Sequence, residues 1–365
     1  MEFKRILVFR TGHLGDTLVA VPAFWALRET FPDSHIAYLS SADAANPTYV
    51  SARDVLPEKG LFDDWISYPN MSPGVGGMAS LVGLAMKIRR QRFDAVFYLM
   101  TRYRTARQID RDRLFFKLAG IREIIGSEFI KRHNLPFDIP KPIPRIEKEA
   151  DFLLRLLREK GVLESDHQFL PELALTPDEN QAALTFMKSN GVLGFEGRCL
   201  AVGPGSKWDS KIWEEERYGD VVSRLIESHD VMPVIFGGPE DREKGARLIR
   251  TWGRGANAAG ELNVRNAAAA LSLCALYLGN DTGTMHLAAS VSTTCVALFS
   301  AVDWAGRFEP FGDQHILFRR SVECEGCHSP DCPNLVHPKK CLDLIPADNV
   351  YEACVEVLGR KAIAV

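Results

Sequence analysis

The sequence predicts an α/β protein of two domains, each built on a parallel β-sheet. Short apolar and β-branched runs alternate with helical patterns along the chain, and this alternation is typical of parallel sheets. Glycine-containing loops follow several predicted strands, where α/β proteins commonly bind their ligands. The length of 365 residues suits two cores of about 150 to 200 residues each better than one.

The first half of the chain predicts strands over 5–10, 34–40 and 95–100. Helical patterns cover 17–31, 78–92, 105–118 and 146–160. Four prolines between residues 131 and 145 exclude a helix or a central strand there.

The second half repeats the alternation after a turn-rich stretch over 161–180, and we expect the domain boundary near residue 170. Predicted strands cover 199–202, 233–236, 275–278 and 294–299, and predicted helices cover 214–228, 239–251 and 264–273. The predicted fold is therefore two Rossmann-like domains that face a central cleft.

Composition and charge narrow the classes of function. The chain has 44 Lys and Arg against 47 Asp and Glu, a net charge of −3, which excludes a general nucleic-acid binder because such proteins need a basic excess. Its longest apolar runs fall short of the ~20 residues that span a bilayer. The first residues lack the apolar core of roughly 7–15 residues found in secretion signals. We therefore expect a cytoplasmic protein.

The loop after the first predicted strand contains Gly12, Gly15 and Asp16. Glycines at a strand-to-helix turn let a ligand approach the backbone closely. The spacing is G-x-x-G-D and not the G-x-G-x-x-G of dinucleotide-binding proteins, which disfavours a dehydrogenase. Asp16 is either a helix cap or a general base.

Three loops of the second half contain residue types that bind phosphate. The first two supply Gly205, Ser206 and Lys211 after the strand at 199–202, and Gly237 and Gly238 after the strand at 233–236. In the third, Asp281 is predicted to cap a helix that starts at Thr282, and Gly283 leaves the helix N–H groups exposed for an anion. His286 follows near the same face. Solvated lysines and a buried structural histidine are the alternatives.

A basic stretch runs from residue 87 to residue 113, with nine Lys or Arg against three Asp. Arg102 and Arg104 directly follow a predicted strand, and Arg107 continues the run on the next helix. These three arginines are either ligands for an acidic substrate or part of a solvated helix face. Asp110 and Asp112 have a spacing that can hold a metal, but their position within a helix among arginines argues against that role.

Three segments together resemble glycosyltransferase family 9, the ADP-heptose:lipopolysaccharide heptosyltransferases. The opening ILVFRTGHLGDTLVAVPAFWALRETFPDSHIAYL is similar to the first family motif. GPGSKWDSKIWEEERYGDVVSRL is similar to the second, although the family often has His-x-Gly-Ala where this chain has Gly203-Pro204-Gly205-Ser206. NDTGTMHLAAS is similar to the third.

The resemblance implies a GT-B fold and an inverting transfer of a heptose or related sugar from an ADP-sugar to a lipopolysaccharide-core-type or other glycan acceptor. It implies an acceptor domain over 1–170, a donor domain over 171–345 and a C-terminal helix over 346–365 that returns toward the first domain. The acceptor is expected to be lipid-linked or phosphorylated, which implies peripheral contact with the inner membrane. No catalytic metal is expected.

By motif, the resemblance aligns Asp16 with the family's catalytic base and Lys211 with its donor-phosphate lysine. Asp281, Thr282, Gly283 and His286 align with the donor-binding motif. We expect the glycines of the first loop and the three arginines on the acceptor side. Two alternatives stay open: a transferase or epimerase that uses another nucleotide sugar, and a non-catalytic binder of nucleotide sugars or glycolipids on the same fold.

Four cysteines near the C-terminus, Cys324, Cys327, Cys332 and Cys341, have the spacing C-x2-C-x4-C-x8-C. The first pair has the C-x2-C spacing by which one turn presents two thiolates to a tetrahedral ion. The later spacings are not those of a standard zinc ribbon. The set is therefore either a structural zinc or iron site or a group of unligated thiols. In both cases we expect the transfer chemistry to be independent of it.

Overall fold

The computed structural model describes residues 2–42, 49–69, 75–136, 141–163, 167–195 and 198–363. The chain divides into two compact units, one of Met1–Phe137 with Glu149–Leu173 and one of Asp138–Lys148 with Ala174–Val365. Each unit has one sheet, and every strand pair in both sheets is parallel. None of the helices in these ranges is long and apolar enough to cross a membrane.

The first unit contains a five-stranded sheet of order β3-β2-β1-β4-β5. In chain order its elements are β1 (Arg5–Phe9), α1 (Leu14–Leu18), α2 (Val21–Thr30), β2 (His35–Ala42), β3 (Asp64–Pro69), α3 (Val75–Gln91), β4 (Ala95–Tyr98), α4 (Ala106–Leu118), β5 (Glu123–Ile125), α5 (Ser127–Arg132) and α6 (Glu149–Glu159).

The helix predicted over 17–31 is two helices in the structure. Pro22 lies at the start of α2, where its missing N–H costs nothing and its fixed φ favours a new helix. α1 therefore ends at Leu18, and this five-residue helix lies between β1 and α2.

The second unit contains a six-stranded sheet of order β11-β10-β9-β6-β7-β8. Its elements are α7 (Pro177–Ser189), β6 (Cys199–Gly203), α8 (Glu215–His229), β7 (Met232–Ile235), α9 (Arg242–Trp252), β8 (Ala256–Asn257), α10 (Val264–Ser272), β9 (Leu276–Asn280), α11 (Gly283–Ser290), β10 (Cys295–Phe299), β11 (Ile316–Arg319), α12 (Lys340–Asp343) and α13 (Ala347–Ile363).

The last helix, α13, packs against α8 within the second unit. Val350 and Cys354 are fully buried in the core that this helix shares with the sheet. The prediction that the helix returns toward the first domain stays a prediction.

Both sheets place the candidate loops at the carboxyl ends of neighbouring strands. In the first sheet, β1 pairs with β4, so the loop with Asp16 and the segment with Arg102 begin side by side. In the second sheet, β6 pairs with β9, and Gly203 lies opposite Gly279 in the register. The loops that carry Lys211 and Asp281 therefore also start from adjacent strands.

Candidate active site

The loop after β1 presents the carboxylate of Asp16. α1 begins at Leu14, and Asp16 Oδ2 accepts a hydrogen bond from the backbone N–H of His13 at 3.0 Å. Gly15 lies in the same first turn. Asp16 is the third residue of the helix, and His13 occupies the N-cap position. One oxygen of Asp16 therefore caps the helix by accepting the N–H of the N-cap residue. Within the described part of the chain, no donor contacts Oδ1, so this half-buried carboxylate retains an oxygen that can accept a proton.

Gly12 is required for the position of Asp16. A Cβ atom built on Gly12 would lie 2.3 Å from Asp16 Cβ and 2.7 Å from Asp16 Oδ2. Gly12 also has φ +149°, which side-chain-bearing residues rarely adopt. The backbone of this loop therefore runs directly against the carboxylate.

Arg10 is a buried residue of this loop that the sequence interpretation did not single out. Its Nε donates to the Asp16 carbonyl oxygen and its Nη1 donates to the Leu99 carbonyl oxygen, both at 2.6 Å. The guanidinium thus joins the first turn of α1 to the end of β4. Its sequence signal was a charged residue directly after the apolar run over residues 6–9.

The three predicted acceptor arginines have different environments. Arg102 is buried, its Nε lies 3.0 Å from Glu149 Oε2, and its guanidinium stacks 4.4 Å from the centre of the Phe152 ring. Arg104 is half-buried and pairs with Asp112. Arg107 is exposed and has no ion-pair partner among the described residues. Only Arg107 has a charge that is fully available to a ligand.

The aspartates of the D-x-D sequence are held by protein cations. Asp112 accepts a hydrogen bond from the Tyr98 hydroxyl at 2.8 Å in addition to its pair with Arg104. Asp110 lies 2.7 Å from the ammonium of Lys131. Burial raises the pKa of Tyr98 and the Asp112 carboxylate raises it further, so the Tyr98 hydroxyl stays protonated and donates.

In the second unit, Lys211 and Asp281 form an ion pair. Lys211 ends a 3₁₀ turn, Asp209–Lys211, and its Nζ lies 2.6 Å from Asp281 Oδ2. Their side chains are only 16% and 7% exposed. The ammonium also lies 5.5 Å from the centre of the Trp208 ring. Two residues predicted separately as donor ligands are therefore in direct contact.

The prediction that Asp281 caps a helix starting at Thr282 is wrong. Thr282 occupies the N-cap position and α11 begins at Gly283. A hydrogen bond between an ammonium and a carboxylate is stronger than a neutral one, and Lys211 takes the Asp281 carboxylate away from the helix end. The N–H groups of the first turn of α11 therefore have no aspartate cap.

Asn280 is fully buried and organises the loops around Lys211. Its Nδ2 donates to the carbonyl oxygens of Pro204 at 3.1 Å and Gly205 at 3.3 Å. Its Oδ1 accepts from the Trp213 N–H at 3.1 Å and the Tyr218 hydroxyl at 2.9 Å. One amide thus uses all its donors and acceptors to join the end of β9 to both flanks of the Lys211 turn.

Tyr277 occupies the space above the paired glycines of β6 and β9. A Cβ atom on Gly203 would lie 1.9 Å from the Tyr277 hydroxyl oxygen, and one on Gly279 would lie 2.4 Å from it. The hydroxyl is 2.8 Å from Thr284 Oγ1, which is 2.9 Å from Thr282 Oγ1. This hydroxyl chain fixes the start of α11.

Asp241 is another residue near these loops that the sequence interpretation did not single out. A Cβ atom built on Gly205 would lie 1.8 Å from Asp241 Oδ1, and one built on Gly237 would lie 2.4 Å from Asp241 Oδ2. The Gly238 N–H donates to Asp241 Oδ2 at 3.2 Å. Burial and the neighbouring Glu240 carboxylate raise the pKa of Asp241. Gly205, Gly237 and Gly238 therefore pack around the Asp241 carboxylate and do not form an open phosphate-binding loop.

The two remaining predicted donor residues have local partners. Ser206 Oγ accepts the Trp208 N–H at 3.1 Å, which shapes the loop before Lys211. His286 is buried in α11, and its ring lies 6.2 Å edge-on from the ring of Phe308.

The four clustered cysteines lie in a segment of residues 322–341, called here the cysteine loop. Burial raises the pKa of Cys341, and the other three thiols raise it further. The Lys339 N–H donates to Cys332 Sγ at 3.1 Å. No group of three or more His, Cys, Asp or Glu in the described ranges is arranged to hold a metal ion, and a metal here stays a prediction.

Comparison with known proteins identifies the family of the chain. The family model for glycosyltransferase family 9 (heptosyltransferase) matches residues 83–336. The chain belongs to this family. It is a glycosyltransferase. Among curated proteins, lipopolysaccharide heptosyltransferase 2 of Escherichia coli K12 is 24% identical over 311 residues, which cover 81% of this chain and 82% of that protein.

Three solved structures share the fold. A family 9 glycosyl transferase from Veillonella parvula is 22% identical, with 99% of both chains covered and a TM-score of 0.74. The E. coli ADP-heptose lipopolysaccharide heptosyltransferase II is 18% identical, with 98% and 99% covered and a TM-score of 0.69. The iron-containing dodecameric glycosyltransferase TibC of enterotoxigenic E. coli is 14% identical, with 99% and 77% covered and a TM-score of 0.55. The predicted GT-B fold is confirmed.

Proposed function

We propose that this family 9 glycosyltransferase moves a heptose from ADP-heptose to a hydroxyl group of a lipopolysaccharide-core-type acceptor, with inversion at the anomeric carbon. The observation that carries the proposal is the Lys211–Asp281 ion pair beside the first turn of α11. A cation and the N–H groups of Gly283 and Thr284, which have no partner among the described residues, together suit a diphosphate. The names of the similar heptosyltransferases support heptose as the sugar.

The second unit supplies the donor site in this proposal. Lys211 and the N–H groups at the start of α11 neutralise the charge that develops on the leaving ADP as the bond from the sugar to the β-phosphate breaks. The Asp281 carboxylate would repel phosphate, so we assign it to hydroxyl groups of the sugar, which can donate to it. We assign Asp241 to hydroxyl groups of the nucleoside for the same reason.

The first unit supplies the base. Asp16 Oδ1 accepts the proton of the acceptor hydroxyl, whose oxygen then forms the new bond to the anomeric carbon. A well-placed general base contributes about 10²- to 10⁴-fold in rate. Gly12 and Gly15 give the acceptor access to this carboxylate, and Arg107 binds an acidic or phosphorylated group of the acceptor. The domain roles proposed are acceptor binding by 1–170 and donor binding by 171–345.

No step of this reaction uses a metal ion, because Lys211 and the helix N–H groups take the place of a divalent cation on the diphosphate. We propose one structural zinc or iron in the cysteine loop. A set of four thiols is a donor set that both ions accept, and the similar glycosyltransferase TibC is an iron-containing protein. When bound, this ion would hold the loop together and take no part in the transfer.

The donor proposal is tested by calorimetry with ADP, UDP and GDP, followed by a transfer assay with ADP-heptose and a heptose-deficient lipopolysaccharide core. We expect binding of ADP in preference to UDP and GDP, and release of one ADP for each heptose transferred. Turnover is expected to survive EDTA at concentrations that remove exchangeable Mg²⁺ and Mn²⁺. Preferential UDP or GDP binding would support the alternative donors.

A further inference from the structure

The cysteine loop is attached to the turn that carries Lys211. Ser210, the residue before Lys211, is buried and uses both of its donors on this loop. Its N–H donates to the Pro330 carbonyl oxygen at 2.9 Å, and its Oγ donates to the Ser329 carbonyl oxygen at 2.6 Å. Both bonds join segments that are more than a hundred residues apart in sequence.

A third contact holds the beginning of the same turn. The ammonium of Lys339 lies 2.8 Å from Asp209 Oδ1, and the Lys211 N–H closes the turn on the Trp208 carbonyl oxygen at 3.0 Å. The two residues that precede Lys211 are therefore both held by the cysteine loop. The Lys211 backbone directly follows two residues that contact that loop.

The other side of the cysteine loop is fixed to the chain after β10. The Gly326 N–H donates to the Ala301 carbonyl oxygen at 2.7 Å, and the His328 N–H donates to the Val302 carbonyl oxygen at 3.1 Å. His328 has φ +47°, a conformation that costs energy for a residue with a side chain and persists only where its surroundings impose it. The loop thus spans from the end of one central strand to the Lys211 turn.

We propose that the cysteine loop positions Lys211 for the diphosphate of the donor, and that Ser210 is the positioning residue that transmits the order of the loop to Lys211. This inference rests on the proposed function. It changes the expectation from the sequence that the thiols and the transfer chemistry are independent. Disturbing the loop should weaken contacts to phosphate and leave contacts to the nucleoside unchanged.

The test is a double-mutant cycle on ADP affinity, with Ser210→Ala, Lys211→Ala and the double variant. One lost hydrogen bond predicts an ADP affinity about 3- to 10-fold weaker in Ser210→Ala, with adenosine affinity unchanged. In the Lys211→Ala background the serine change should have no further effect, because it acts through the lysine. The control is Thr293→Val, which removes another buried hydroxyl that donates to a distant carbonyl oxygen, Leu271 O at 2.8 Å.

Asp209→Asn provides a second variant if Ser210→Ala does not fold, because it breaks only the exposed pair with Lys339 and should weaken ADP binding in the same selective way. The inference would be overturned if Ser210→Ala weakened ADP binding equally in the wild-type and Lys211→Ala proteins, or if it weakened ADP and adenosine binding equally. Either result would leave the proposed donor unaffected. Failure of the wild-type protein to bind ADP would overturn the proposed donor and this inference with it.

Discussion

The ammonium of Lys211 lies 2.6 Å from the carboxylate of Asp281, although 70 positions separate the two residues in the chain. Both residues follow paired central strands: Asp281 comes directly after β9, and Lys211 ends the 3₁₀ turn in the loop after β6. Because both side chains are largely buried, the attraction between them is weakened little by solvent. Neither charge can be removed without leaving the other largely buried and uncompensated.

Removing one member of this pair should affect both stability and donor use. We expect Lys211→Met or Asp281→Asn to lower the free energy of unfolding by about 2 kcal/mol, because a charge stays largely buried without its partner. The double variant should recover part of that loss. When donor and acceptor are varied separately, the variants should lose roughly 10- to 150-fold in kcat/KM for the donor, because a charged contact is lost. An effect confined to the acceptor KM would contradict the assignment.

Asp16→Asn should abolish transfer and leave ADP affinity within a few-fold of the wild-type value. Asparagine keeps the side-chain oxygen that accepts the His13 N–H but cannot take a proton from a hydroxyl. The decisive measurement is single-turnover transfer beside calorimetric ADP binding. Near-normal turnover would reduce Asp16 to a helix-capping residue.

Gly12→Ala should reduce kcat by displacing the Asp16 carboxylate. The new methyl group would lie 2.3 Å from Asp16 Cβ, so either the loop or the carboxylate must move. Gly60→Ala is a matched control, because Gly60 also has positive φ, at +87°, but a Cβ there meets no atom within 4 Å. Both variants carry backbone strain, and only Gly12→Ala should lose activity beyond its loss of thermal stability.

The sequence predicted the two parallel sheets well because their central strands are short, apolar and regularly separated by helices. It missed the four edge strands, β3, β5, β8 and β11, of which β5 and β8 are only three and two residues long. It also missed α7, although Thr176 and Glu179 provide a capping box at its start, because the preceding stretch has no clear hydrophobic period. Local patterns are weak where an element is short or begins after irregular chain.

Candidate residues were easier to predict than their partners. The glycine loops and charged residues that follow strands are visible in the sequence, but the pairing of Lys211 with Asp281 depends on the order of strands in the sheet. Asn280 was missed because its role comes from four hydrogen bonds to distant segments. Arg102 follows a strand as an acceptor ligand would, yet only the fold brings Glu149 to it.

The pair of Glu179 and Arg265 predicts a pH dependence of stability. Burial by itself would raise the pKa of Glu179, but hydrogen bonds from Arg265 and from the Thr176 N–H outweigh burial and hold the pKa below its ordinary value. The stabilisation is therefore present above the ordinary pKa and is lost as pH falls through the lowered one. Glu179→Gln should lower Tm at pH 7, with the difference from wild type shrinking below pH 4. Glu227→Gln, at an exposed position, should change Tm little at either pH.

The arginines after β4 should separate into structural and ligand-binding roles. Glu149→Gln removes the charge that faces the buried guanidinium of Arg102, and we expect the first unit to lose about 3 kcal/mol of stability.

Arg107→Ala should leave Tm unchanged, because Arg107 is exposed, and should raise the KM for a phosphorylated acceptor while the donor KM stays constant. Repeating the Arg107→Ala kinetics with a dephosphorylated acceptor identifies the contact. If the variant and the wild type then become equal, Arg107 binds the acceptor phosphate, whereas a defect of the same size with both acceptors would exclude that role.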